Sequence, residues 1–301
     1  STSPEIKLIA SGSSNYAAGA DPYHWNATIL AGLKGYIDYI ALHMYVGNYR
    51  DNYYDFLATP LEMDQRTQVV RGMILREKSH RPVYIAWDEY NVWYRARSGD
   101  DVVGNRALEE KYNLEDALVI TGFLNCFVRN ADIVKMANMA QLVNVIAPIF
   151  TEGDELFLQT IYYPLQMYAN NVKGESLDVF VDSPTYNTTP RFSLGDNEAS
   201  THLTDVPYLD VTAALDGDQL VICVLNRHKD NAISTEIICQ QGAFTGSVEV
   251  YEVNGPDIKS ENDFGKTNVQ TVKKDDLKKP GASFEYSFPA HSVTMFKGKI
   301  K

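Results

Sequence analysis

Four short, nearly unbroken apolar runs punctuate the first part of the chain, at residues 6–10, 37–43, 83–87 and 142–149. The first ends in Ser11-Gly12-Ser13-Ser14 and the second in Met44-Tyr45. Strands apolar on both faces belong to parallel sheets covered by helices. Helical patterns fill the gaps. In 64–79, Val69, Val70, Met73 and Ile74 fall on one face. Asn113 is a fitting N-cap for a second helix, with Glu115 and Asp116 in its first turn. Its apolar face runs through Leu114, Ala117, Leu118, Leu124, Phe127 and Val128. Residues 132–140 read as a short helix before the fourth run. Four strand–helix units predict half of an eight-stranded barrel, because a whole one needs about 250 residues.

From about residue 174 the texture changes. Short alternating segments at 177–181, 208–214, 220–225, 235–239, 247–253 and 283–288 are separated by Gly, Asp, Asn and Pro. That spacing predicts an antiparallel β-sandwich. The polar, charged stretch 263–279 reads as an exposed connection. The expected division is therefore residues 1–173, a half-barrel, and residues 174–301, a sandwich.

Composition narrows the function. A formal net charge of −12 argues against a nucleic-acid partner. No apolar stretch reaches the roughly 18 residues of a membrane span. Cys126, Cys223 and Cys239 show no metal or redox spacing and are expected as buried free thiols. Nineteen Tyr and three Trp exceed the needs of a core and suit a polar ligand site. Ser1-Thr2-Ser3-Pro4 is neither a signal peptide nor an initiator-methionine start; it reads as a cut or processed end and leaves the compartment open. There is no phosphate loop, His-x-x-x-His pair or Gly-x-Ser-x-Gly elbow, so neither cofactor nor metal is expected.

The third run passes directly into Asp88-Glu89-Tyr90-Asn91-Val92-Trp93-Tyr94. A barrel strand delivers its reactive group at its C-terminal end. A carboxylate beside Trp87, Tyr90, Trp93 and Tyr94 suits a sugar, whose C–H faces pack on rings while its hydroxyls take hydrogen bonds. Glu89 is thus the candidate glycosidase carboxylate. The competing reading, a surface carboxylate in a loop, is disfavoured by the density of rings. Strand alternation predicts that Asp88 points the other way, so that only one of the two faces the barrel mouth. His43 and Tyr45 close the second strand at the same end, His43 as either a core histidine or a substrate contact. Asn144 and Gln141 are expected in a structural amide network. Gln159 is balanced between a cap and a ligand donor. Glycosidase chemistry through carboxylates needs a second one.

At these residues the chain resembles a known family. The run 87–94 resembles the nucleophile motif of the glycoside hydrolase family 51 α-L-arabinofuranosidases, Asp-Glu-Trp-Asn-Val-Trp-Tyr, with Tyr90 in place of a Trp as an aromatic wall. Leu42-His43-Met44-Tyr45 with Gly47-Asn48 resembles the family's His-x-Tyr strand end. Residues 140–149 look like its last barrel strand, and Gln159-Thr160-Ile161-Tyr162-Tyr163-Pro164 like the loop whose Gln binds the sugar. The stretch 205–226 and Phe288-Pro289-Ala290-His291-Ser292 resemble its C-terminal sandwich. The resemblance implies strands five to eight of a (β/α)8 TIM barrel followed by that sandwich. It implies a retaining, exo-acting hydrolase that releases terminal α-L-arabinofuranosyl residues from arabinan- or arabinoxylan-type saccharides. Glu89 would be the nucleophile, Tyr45 its hydrogen-bonded neighbour, His43 a support, Trp93 a wall for the sugar and Gln159 a hydroxyl binder.

The family's acid/base is the Glu of an Asn-Glu pair that ends the fourth strand. No such pair ends a strand here, and Asn197-Glu198 falls in the sandwich part. The acid/base and the first half of the barrel are therefore expected outside this chain. The chain alone is expected to be inactive, and its open edges to be closed by a second copy or by the other half. Two other readings stay open: a related glycosidase acting on xylo- or gluco-oligosaccharides, and a non-catalytic carbohydrate-binding remnant.

Overall fold

Strands apolar on both faces gain most by lying side by side beneath a layer of helices. The computed structural model, which describes residues 5–14, 21–95, 108–192, 199–200 and 202–301, has such a sheet. Strands β1 (Ile9–Ser11), β2 (Tyr39–Val46), β3 (Tyr84–Val92) and β4 (Val134–Met139) are parallel and adjacent in chain order. Between them run helices α1 (Pro22–Leu33), α2 (Tyr53–Leu57), α3 (Thr59–Glu77) and α4 (Leu114–Arg129). In α3, Val70 is buried and Met73 and Ile74 pack on the core, whereas Val69, expected on the same face, is 40% exposed. Helix α4 begins where expected. The Asn113 side chain accepts from Asp116 N, and Asp116 accepts in return from Asn113 N, a reciprocal capping box.

The fourth strand is displaced from its expected place. Residues 132–140, read as a helix, contain β4, while the run 142–149 is irregular and held by single bridges, Val143 to Ile149 and Val145 to Glu109. Leu142 is 65% exposed. The physical reason is position: β4 lies at the edge of the sheet and alternates, with Val134 buried and Lys135 exposed, instead of being covered on both faces. A short alternating strand carries little of the apolar signal that marks β2 and β3.

Beyond β4 come a hairpin, β5 (Ile149–Glu152) and β6 (Glu155–Leu158), and helix α5 (Tyr162–Asn171). The antiparallel part follows with β7 (Glu175–Leu177), β8 (Thr185–Thr188), β9 (Arg191–Phe192), β10 (Ala199–Ser200), β11 (Leu203–Pro207) and β12 (Leu209–Asp216). It continues with β13 (Gln219–Asn226), β14 (Ile233–Ile238), β15 (Glu249–Asn254), β16 (Gln270–Lys273), β17 (Ser283–Phe288) and β18 (Ser292–Lys299). Six of these form one sheet in the order β16-β15-β18-β13-β12-β7. The pair β14–β17 covers one of its faces, where Ile233 and Phe288 meet Ile222, Val250 and Phe296. A parallel α/β part is thus followed by antiparallel sheets, the partial barrel and sandwich. Within the latter, β18 occupies the centre although no expected segment covered it. The stretch 263–279, expected as a loop, contributes β16 and the fully buried Val269. Residues 178–181, expected as strand, lie beyond the end of β7.

The second face of the six-stranded sheet packs on α4. One core joins Leu118 and Phe123 of that helix to Val221, Cys223, Leu225, Val293 and Met295. Polar groups stitch the same seam. Asn125 donates to the Asp210 carbonyl (3.2 Å) and accepts from Thr212 (2.9 Å) and Tyr168 (2.5 Å). Cys126 and Cys223 are buried free thiols, the latter pushed by burial up to about 12, whereas Cys239 is only half-buried. Among the described residues no helix is long and apolar enough to cross a membrane.

Candidate active site

The site forms where β2 and β3 end. Their ladder is regular through Ala41 opposite Ala86, then resumes with His43 opposite Glu89, so β3 carries one extra residue. The pairing of β3 with β4 shifts again between Trp87 and Tyr90. This bulge has a visible signature. Trp87 and Tyr90, an odd number of residues apart, both point into the helical layer. The Trp87 indole donates to Thr67 of α3 (3.1 Å), and Tyr90 packs on Phe123 and Phe127 of α4, ring centroids 6.0 and 4.9 Å away.

The two residues between them, Asp88 and Glu89, consequently reach the same side, contrary to the alternation expected. They flank one imidazole: Asp88 Oδ1 lies 3.1 Å from His43 Nε2, and Glu89 Oε2 lies 3.6 Å from His43 Nδ1. The Glu89 side chain is 46% exposed, enough to meet a ligand. Tyr45 donates its hydroxyl to Glu89 Oε2 at 2.9 Å. Burial, and then the neighbouring Glu89 carboxylate, push the Tyr45 phenol well above its ordinary range, so it stays a donor. Trp93 stands edge-on to Tyr45, centroids 5.5 Å apart, and its backbone N–H extends the ladder to the Val46 carbonyl (2.8 Å).

Only part of the aromatic wall survives. Trp87, Tyr90 and Tyr94 are buried in the core, and Trp93 is the ring of the motif that stays at the site. Asn91, which sequence reasoning left without a role, is buried and donates to the carbonyls of Ala140 (2.6 Å) and Ile146 (2.5 Å), tying the irregular 140–146 segment to β3. Asn144 braces Thr151 as expected, through its N–H at 2.7 Å, while Gln141 is exposed.

Gln159 is held by backbone groups. It is 1% exposed, and its amide donates to the Glu110 and Ala147 carbonyls (both 2.8 Å) and accepts from Tyr112 N (2.9 Å). Both of its donors are spent on the backbone, so here it braces loops.

Three acids are buried around Arg95 directly after the motif: Glu115 and Asp116, expected only as first-turn residues of a helix, and Glu110, which had no expected role. Glu110 accepts from the N–H groups of Tyr94 (3.1 Å) and Arg95 (3.0 Å), and Glu115 pairs with Lys259 (2.7 Å) from the sandwich. Burial, reinforced by Glu115 and opposed by Arg95, pushes Asp116 up to about 7. Their signal was the acidic run around the Asn113 cap. Asn197-Glu198 lies outside the described residues. Among those residues no cluster of His, Cys, Asp and Glu is arranged to hold a metal.

Residues 88–292 match the family described as the alpha-L-arabinofuranosidase C-terminal domain. The chain is 35% identical over 257 residues to the intracellular exo-alpha-(1->5)-L-arabinofuranosidase of Halalkalibacterium halodurans, covering 81% of this chain and 48% of that one. It is 33% identical over 279 residues to the corresponding enzyme 1 of Bacillus subtilis, covering 88% and 53%. Among solved structures, the Thermotoga maritima alpha-L-arabinofuranosidase in complex with arabinose superposes with a TM-score of 0.83 at 29% identity, over 98% of this chain and 58% of that one. The GH51 enzyme of Thermotoga petrophila gives a TM-score of 0.85 at 31% identity with the same coverage. The chain spans about half the length of the curated relatives it matches. It belongs to the α-L-arabinofuranosidases of glycoside hydrolase family 51 and corresponds to their C-terminal portion.

Proposed function

We propose that the whole protein is a retaining, exo-acting α-L-arabinofuranosidase in which Glu89 is the nucleophile. The observation that carries this reading is the half-exposed Glu89 carboxylate at the C-terminal end of a parallel strand, with the Tyr45 hydroxyl on its Oε2. Glu89 attacks the anomeric carbon of a terminal arabinofuranosyl residue. The bond to the leaving oxygen breaks as an acid protonates it, and water then cleaves the glycosyl ester with that acid acting as base. Tyr45 orients the carboxylate, and the Trp93 ring offers an apolar wall to the sugar.

A retaining pair needs its two carboxyls about 5–5.5 Å apart. Asp88 is tied to the same imidazole as Glu89, and the acids around Arg95 are buried, so we place the acid/base outside the described residues. The exposed Ile6, Leu8 and Ile9 at the β1 edge fit a surface that further barrel strands cover. An acid/base on barrel strands outside this chain would leave the chain alone inactive. The relatives named exo-alpha-(1->5)-L-arabinofuranosidases and the arabinose complex support a terminal arabinofuranoside as substrate.

The test uses the whole protein and an aryl α-L-arabinofuranoside. The first-formed arabinose is expected in the α configuration by proton NMR. Glu89→Gly is expected to abolish turnover, and added azide to restore it with formation of the β-azide. A Glu89→Gly variant that stays active without azide overturns the assignment.

A further inference from the structure

A neutral imidazole carries one N–H and one lone pair, and which nitrogen holds the proton is set by its neighbours. His43 has a carboxylate oxygen at each nitrogen: Asp88 Oδ1 at Nε2 and Glu89 Oε2 at Nδ1. The two sides differ. Glu89 Oε2 already accepts the Tyr45 hydroxyl. Asp88 Oδ1 is shielded from solvent and has no aligned donor among the described residues, while Nε2 stands 3.1 Å away. Leaving a shielded acceptor unpaired is costly, which favours a proton on the neighbouring Nε2. The bulge in β3 creates this arrangement, since in a regular strand Asp88 and Glu89 would point to opposite faces.

We infer that Asp88 is a positioning residue for Glu89: it holds the His43 proton on Nε2 and so keeps Nδ1 from donating to the nucleophile. The inference rests on Glu89 being that nucleophile. Hydrogen bonds to a carboxylate stabilise its charged form and blunt its basicity. With Nδ1 unprotonated, the imidazole does not draw on the Glu89 lone pairs, and the carboxylate, held by Tyr45, stays reactive toward the anomeric carbon.

Asp88→Asn is the diagnostic variant. It keeps the shape of the side chain but can offer an N–H to Nε2, which moves the ring proton to Nδ1 and lets it donate to Glu89. In the whole protein labelled with 15N-histidine, and with His43 identified by the signal lost in His43→Gln, the wild type is expected to be protonated on Nε2 and Asp88→Asn on Nδ1. On an aryl α-L-arabinofuranoside, kcat is expected to fall about tenfold or more with KM little changed, and Asp88→Glu to recover part of it. A wild-type ring protonated on Nδ1 overturns the inference by itself, even if the variant fails to fold. So does a variant whose ring signals do not exchange, or one in which they exchange without loss of kcat. Glu89→Gly in the same assay keeps the two readings apart. If it stays active, the nucleophile is wrong; if it is dead while Asp88→Asn is unaffected, only the role of Asp88 falls.

Discussion

Tyr45 reaches Glu89 from a neighbouring strand, not from a loop: its hydroxyl lies 2.9 Å from Oε2, and both residues are held by the β2–β3 ladder. A hydrogen bond to a charged acceptor on rigid elements is worth about 1.5–3 kcal/mol. Tyr45→Phe keeps the ring contact with Trp93 and removes only the donor. It is expected to lower kcat of the whole protein about 10- to 100-fold, with little change in melting temperature. Unchanged steady-state rates would show that the contact plays no part in the reaction.

Where the two parts of the chain meet, Asp210 is 6% exposed and holds two guanidiniums, Arg227 at 2.6 Å and Arg129 at 3.0 Å. Burial pushes its carboxyl up, but the two arginines outweigh burial and hold it below the usual carboxylate range. A depressed folded value means stability that is present above the unfolded value of about 3.9 and lost as pH falls through the folded one. Arg227→Met leaves the buried carboxylate with Arg129 alone and is expected to cost about 1.5–3 kcal/mol in denaturant unfolding, the worth of one hydrogen bond to a charged group. Asp210→Asn is expected to remove this contribution to the acid limb of the stability profile. An acid limb identical to that of the wild type would refute the assignment.

Some of this architecture could be read directly from residues, and some could not. The Asn113 cap, the stripe of α4 and the apolar centres of β2, β3, β12 and β13 depend on local pattern, and there the expected elements and the observed ones coincide. Glu89, His43 and Tyr45 also meet at neighbouring strand ends, where they were expected. What pattern could not carry is register. The extra residue in β3 exists only relative to β2 and β4, yet it decides that Asp88 and Glu89 share a face and that Tyr90, like Trp87, is core. Edge position hid β4 in the same way. The central strand β18 contains Gly298 and two lysines and owes its place to long-range pairing with β13 and β15.

Asp116 makes a second pH dependence of opposite sign. Its folded value, about 7, lies above the unfolded value of about 3.9. Such a group stabilises fully below the unfolded value, and that contribution is lost as pH rises through the folded one. Stability is therefore expected to decline between about pH 4 and about pH 7 on its account. Asp116→Asn gives up the 2.8 Å pair with Arg95 but can keep the cap on Asn113 N. The variant is expected to show a flatter dependence of melting temperature on pH over that window. A slope equal to the wild type's would rule this out.

Gln159 tests whether burial or resemblance is the better guide to a side chain's role. Its amide satisfies three backbone groups: the Glu110 and Ala147 carbonyls and the Tyr112 N–H. Gln159→Leu has nearly the same volume and leaves all three without a partner, at about 1–3 kcal/mol each. The expected outcome is a clear loss of thermal stability, because the freed groups surround a residue that is buried. A sugar-binding role makes the opposite prediction, a raised KM with melting temperature intact. Measuring both quantities on one variant of the whole protein separates the two, since a brace and a ligand donor at the same position cannot give the same pair of changes.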